Sequence, residues 1–182
     1  FDAGVACDQC GAAASGMPLV TATTGPNGQF TLTDVPTGAN VPIVIQLGKW
    51  RRQITVANVP ACQTSALPTT LTRLPRNKTE GDIPLMAIST GNADPIECVL
   101  RKMGIQDSEF TNPNGTGRVR VYRDNGAQIS GATPAATTLY GTAAELAKYD
   151  MVLFACVGSQ SNKTLANRQR VIDYANIGGR VF

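Results

Sequence analysis

Two periods of apolar residues divide this chain. Up to about residue 75 apolar and polar positions alternate; beyond residue 83 apolar residues come in continuous runs broken by helical stripes. In Gln29-Phe30-Thr31-Leu32-Thr33-Asp34-Val35, Phe30, Leu32 and, past Asp34, Val35 supply apolar positions while Thr31 and Thr33 face away. That alternation predicts a half-buried strand. A turn, Gly25-Pro26-Asn27-Gly28, joins it to a strand predicted over 18–24, and Pro36-Thr37-Gly38 makes a second turn. Residues 41–47 and 50–56 flank Gly48-Lys49, a hairpin signal, with Pro42 confined to a strand start or an edge.

The polar stretch Arg76-Asn77-Lys78-Thr79-Glu80-Gly81-Asp82 reads as a linker. After it, residues 83–89 form a near-continuous apolar run, as a strand buried on both faces would. A helix over 95–103 follows, with Asp94 as N-cap, Pro95 at the first helical position, Gly104 at the end, and Val99, Leu100 and Met103 as its apolar stripe. Strands are predicted over 117–122 and 150–157, and helices over 143–149 and 165–176. Gly178-Gly179 stops the last helix before residues 180–182 enter another strand. This βαβ alternation implies a Rossmann-like, flavodoxin-like parallel sheet with right-handed crossovers. The expected organisation is a β domain over 1–75, a linker over 76–82 and an α/β domain over 83–182. Because the pattern begins without a leading strand and stops inside one, the expectation is a segment of a longer protein, cut at both ends.

Composition narrows the function. A net charge of +3, with charged residues only 16% of the chain, argues against a nucleic-acid partner. No apolar run approaches the roughly 20 residues that span a bilayer. There is no His, which removes Ser-His-Asp and Cys-His catalysis and His-ligated metal from these residues. Abundant Thr, Ala, Gly, Pro and Asn suit an exported bacterial protein.

Two resemblances follow from the motifs. The run from Thr24 to Gly38 fits a T-x-x-x-G-x-F-x-L-x-x-V-P-x-G pattern at every fixed position. It resembles the bacterial carboxypeptidase regulatory-like domain, which implies a transthyretin-like antiparallel β-sandwich and a spacer or binding role. Tyr149-Asp150 with its apolar run, Gly158, the helix after it and Gly178-Gly179-Arg180-Val181-Phe182 resemble class I glutamine-amidotransferase-like folds, including the trehalose-utilisation-like group. In catalytic members of that family the nucleophile lies just after the next strand, so Cys156 does not match it. The whole arrangement, with Leu47-Gly48-Lys49-Trp50-Arg51-Arg52, resembles secreted or lipoprotein-type proteins of proteobacteria.

Candidate chemistry is sparse. Cys7-Asp8-Gln9-Cys10 is a C-x-x-C without the following His of a c-type haem site, and it does not open a helix after a strand. At least one disulfide is expected among Cys7, Cys10, Cys62 and Cys98, with a zinc site from the four as the alternative. Cys156, inside an apolar run, is expected to be a small inert core residue. The loops after the parallel strands, where ligands of open α/β sheets bind, hold Thr90, Gly91, Asn92 and Asp94 and then Gly158, Ser159 and Gln160. Turn and capping chemistry explains those residue types as well as a ligand does. Lys49, Trp50, Arg51 and Arg52 form the densest basic-aromatic cluster; core burial of Trp50 with Arg52 paired nearby competes with a sugar contact. Three glycosylation sequons begin at Asn77, Asn114 and Asn162.

No catalytic residue, metal or cofactor is assigned. The leading expectation is a non-catalytic interaction protein of the extracellular or outer-membrane surface. It would bind a protein partner or itself, with carbohydrate as a further candidate and with no membrane span in this segment. The rivals are an enzyme whose catalytic residues lie beyond Phe182 and a carbohydrate-binding module.

Overall fold

The computed structural model describes residues 4–5, 16–160 and 162–182. The chain divides into two compact units, one spanning Gln9–Leu74 and the other Pro75–Phe182 together with the start of the chain.

The first unit contains one antiparallel hairpin. Strand β1 (Gly38–Leu47) pairs with β2 (Trp50–Val59) from Gly38 opposite Val59 to Leu47 opposite Trp50. The turn works because Gly48 adopts φ +57° while Lys49 stays out of the left-handed region, the signature of a type II′ turn. Trp50, Ile54 and Val56 share one face of β2 and are buried. A two-stranded ribbon alone is marginal in water, so this covered face is what its stability requires.

The strands predicted over 18–24 and 29–35 do not form. The turn between them does: the Gly25 N–H donates to Gln29 O at 2.8 Å and the Gly28 N–H to Gly25 O at 2.9 Å. Phe30, Leu32 and Val35 are half-buried and Thr31 and Thr33 exposed, so the alternation reads true as burial. No ladder accompanies it, and Asp34 at φ +57° breaks the extended run. The described β structure of this unit is therefore a two-stranded sheet.

The second unit is a five-stranded, all-parallel sheet: β3 (Met86–Thr90), β4 (Phe110–Thr111), β5 (Val119–Arg123), β6 (Met151–Phe154) and β7 (Arg180–Val181), in the order β4-β5-β3-β6-β7. Helices α1 (Ile96–Lys102), α2 (Ala136–Leu139), α3 (Ala143–Leu146) and α4 (Leu165–Asn176) connect them. The chain leaves β3 for the edge strand β4, returns to β5 between the two, then crosses past β3 to β6 and on to β7, so the sheet is parallel as expected but its order is not that of a flavodoxin-like fold. Right-handed crossovers place α1 on one face and the later helices on the other. On the later helices' face Ala87, Tyr122, Leu139, Leu146, Tyr149, Val152 and Tyr174 form one buried cluster. All five residues of β3 are buried, as a central parallel strand demands.

Helix α4 occupies the predicted residues. The Thr164 hydroxyl accepts from the Asn167 N–H at its start, and Gly178 at φ +102° ends it. Helix α1 is shorter than predicted. Asp94 is not its cap: Pro95 takes the N-cap position without a side-chain bond, and the Asp94 carbonyl accepts from the Ile96 N–H. Of the predicted stripe only Leu100 is buried; Val99 and Met103 are exposed. The 3₁₀ turn Asp107–Glu109, β4 and α2 carry no periodic signal long enough to be read from sequence.

Residues 76–82 are not a free linker. Arg76 Nε donates to Gly104 O at 2.9 Å, Asn77 Nδ2 to Gln106 Oε1 at 2.6 Å, and the Lys78 N–H to Glu109 Oε1 at 2.8 Å. The start of the chain also departs from the expected β domain. The Gly4 N–H donates to Asp150 Oδ1 at 3.1 Å and the Val5 N–H to Ala147 O at 3.3 Å, both in the α/β unit. Buried Asp150 also accepts the Leu85 N–H at 2.6 Å, so one carboxylate ties the chain start to the entry of β3.

Candidate functional site

The strand order reverses direction between β3 and β6, and the loops leaving their carboxyl ends frame the crevice where open α/β sheets bind ligands. The structure brings Thr90, Gly91, Asn92 and Gly158 together there. Asn125 and Gly126, from the loop after β5, join them. Asn125 is the organiser: its Oδ1 accepts the Asn92 N–H at 3.1 Å and its Nδ2 donates to Val157 O at 2.7 Å. The Ala93 N–H donates to Cys156 O at 3.2 Å, and the buried Thr90 hydroxyl donates to Ala127 O at 2.8 Å.

Glycine is required in this stack by close approach. A Cβ on Gly91 would lie 2.2 Å from Cys156 O, and one on Gly126 would lie 2.6 Å from Gly91 O. The three loops thus meet backbone against backbone at Gly91, while Asn92, Ala93, Asn125, Cys156 and Gly158 stay exposed around that contact. Asp94 is half-buried at the start of α1, while Ser159 and Gln160 are exposed beyond Gly158.

Cys156 is not a core residue. Strand β6 ends at Phe154, and Cys156 lies two positions later with its side chain exposed. Among the described residues Cys62, Cys98 and Cys156 are free and exposed, with no bond between any two; Cys7 and Cys10 lie outside the described residues. Among the described residues no group of three His, Cys, Asp or Glu is placed to hold a metal ion. No described helix is long and apolar enough to cross a membrane.

Trp50 is 8% exposed, so it offers little open ring face for stacking a sugar. Arg52, on the same face, donates from Nη1 to Thr70 O at 3.0 Å. The first sequon residue, Asn77, is engaged on both sides: Nδ2 donates to Gln106, and Oδ1 accepts from the Thr79 N–H and hydroxyl. Asn114 and Asn162 are exposed.

Two side-chain groups escaped the sequence reading. Tyr122 donates to Glu145 Oε1 at 2.7 Å and meets Tyr149 Oη at 2.6 Å, while Lys148 Nζ donates to Glu145 Oε2 at 2.6 Å. Burial, then the bonds to Tyr149 and Glu145, holds the Tyr122 phenol far above its ordinary range. Burial alone would raise the Glu145 carboxyl, but bonds from Lys148 and Tyr122 together hold it below its ordinary value. This network fastens α3 to the sheet. The second group is Lys163, whose Nζ sits 5.2 Å from the Tyr140 ring centroid and 5.3 Å from that of Phe154. The Asn125-Gly126 dipeptide just past a strand was a legible turn signal. Tyr140, Phe154 and Lys163 come from separate elements, and no spacing links them.

Comparison with known protein families, curated proteins and solved structures finds no match. The motif resemblances therefore stand on the residues that carry them.

Proposed function

We propose that this chain is a non-catalytic interaction module of an exported assembly, combining a carboxypeptidase regulatory-like β unit with an amidotransferase-like α/β unit. One observation carries the reading: at the strand-order reversal the backbone of Gly91 lies against Gly126 and the Cys156-Val157 peptide too closely for a side chain. An enzyme of this topology would keep that place open for substrate. The partner is another protein or a second copy. Among the described residues no third strand pairs with β1 or β2, each ten residues long, and an edge of that kind is what strand addition uses. An extracellular or outer-membrane surface location follows from the resemblance and the Thr- and Asn-rich composition.

The exposed thiol of Cys156 at the end of β6 favours the rival, an acyl-transfer or hydrolytic enzyme. Labelling with an electrophilic thiol probe at neutral pH, with ester and amide substrates assayed in parallel, separates the two. The proposal expects Cys156 to react no faster than Cys62 or Cys98 and expects no turnover that Cys156→Ala removes. Fast, selective labelling of Cys156 together with turnover lost in Cys156→Ala overturns it.

A further inference from the structure

We propose that Tyr140 and Phe154 form a clamp for an organic ammonium ion, and that Lys163 occupies it as the chain's own ligand. The two ring centroids are 6.1 Å apart with planes inclined at 52°, a tilted pair rather than a stack. Lys163 Nζ lies almost equidistant from both centroids, at 5.2 and 5.3 Å, within the range where a ring quadrupole attracts a cation. Phe154 is the last residue of β6, so the ring pair lies at the carboxyl end of the sheet.

Two further observations fit a cation site. Tyr140 is only 4% exposed, so the ammonium meets a ring largely shielded from water, where the attraction is strongest. Burial first, and the carboxylate of Asp124 second, hold the Tyr140 phenol above its ordinary value; Asp124 thus places negative charge close enough to be felt at the ring. A simple covering role for Lys163, its methylenes lying on apolar surface with the head in water, does not require Nζ to lie at nearly the same distance from two ring centroids. The ligand class is an alkylammonium, with a quaternary ammonium preferred because its charge is cheaply desolvated.

The experiment titrates tetramethylammonium into the full chain and follows the ring resonances of Tyr140 and Phe154 by NMR. Neutral tert-butyl alcohol serves as the shape control. Removing the internal competitor with Lys163→Ala should tighten tetramethylammonium binding about tenfold, a change that lies inside the cation–π range. Adding Phe154→Leu should abolish the gain, with circular dichroism verifying the fold. If that double variant fails to fold, the charge comparison in Lys163→Ala decides alone. Equal affinity of the wild type and Lys163→Ala for tetramethylammonium overturns the proposal. So does equal binding of the ammonium and tert-butyl alcohol, which would leave only an apolar cleft.

Discussion

Replacing Gly91 by Ala tests the loop contact at a single atom. Gly91 does not need a left-handed backbone, so the cost of the new methyl is contact alone. Its Cβ would lie 2.2 Å from Cys156 O, 2.6 Å from Cys156 C and 3.1 Å from Val157 N, against about 3.5–4.0 Å for ordinary carbon contacts. These are backbone atoms and cannot swing aside like a side chain. Relief requires one loop to move by about an ångström or more, which stretches the Ala93–Cys156, Asn92–Asn125 and Asn125–Val157 hydrogen bonds together. At about 0.5–1.5 kcal/mol per bond the loss is roughly 1.5–4.5 kcal/mol. The reduced freedom of the unfolded chain returns about 0.4–1 kcal/mol. The net expectation is a destabilisation of about 0.5–4 kcal/mol, the difference of those two ranges. All four tyrosines, at 122, 140, 149 and 174, lie in the α/β unit, so urea unfolding followed by tyrosine absorbance reads this unit. Gly131→Ala is the control, because a Cβ there meets nothing within 4 Å. If Gly91→Ala shifted stability by no more than about 0.5 kcal/mol, the size of an ordinary surface change, the loops would not be packed as described.

Three further outcomes are expected. Glu109 is 2% exposed and its two oxygens accept the Lys78 and Arg118 N–H groups at 2.8 and 2.9 Å, so Glu109→Ala should cost about 2–4 kcal/mol in the same urea assay by orphaning both donors. All four tyrosines are held above their ordinary pKa of 10.0, Tyr174 at about 12, chiefly by burial. Their contribution to stability is complete below pH 10.0 and is lost as pH rises through the folded values, so ultraviolet titration should show less tyrosinate at pH 10.5 in the native than in the urea-unfolded protein. Cys62, Cys98 and Cys156 are free, so thiol counting in denaturant without reductant should find at least three thiols, and fewer would contradict the structure.

How far sequence reading reached depended on whether the decisive contact was local. Helix α4 and the β1–β2 turn were legible because Thr164, Gly178 and Gly48 act within a few residues of themselves. The strands predicted over 18–35 failed for the opposite reason. Alternation told which side chains turn inward, but a ladder needs a partner at about 4.8 Å that the pattern does not supply, and the left-handed turn at Asp34 was invisible in it. Cys156 looked like strand because the apolar run continues through Val157. Pairing ends β6 at Phe154, and the Cys156 carbonyl is spent on Ala93 instead. At the candidate site the position of the loops after β3 and β6 follows from the alternation of strand and helix, whereas their close contact rests on Gly91 and Gly126 meeting across long sequence separations.

Native-state hydrogen exchange of the Asn92, Ala93 and Ala155 amides tests the contact between the loops most directly. Their acceptors are Asn125 Oδ1, Cys156 O and Ser89 O, so the first two donors are spent between the loops and the third on the sheet. The account predicts protection of Asn92 and Ala93 within about tenfold, or 1.4 kcal/mol, of Ala155, which extends the sheet itself. Exchange of Asn92 and Ala93 at the rate of an unstructured chain, with Ala155 still protected, would contradict it.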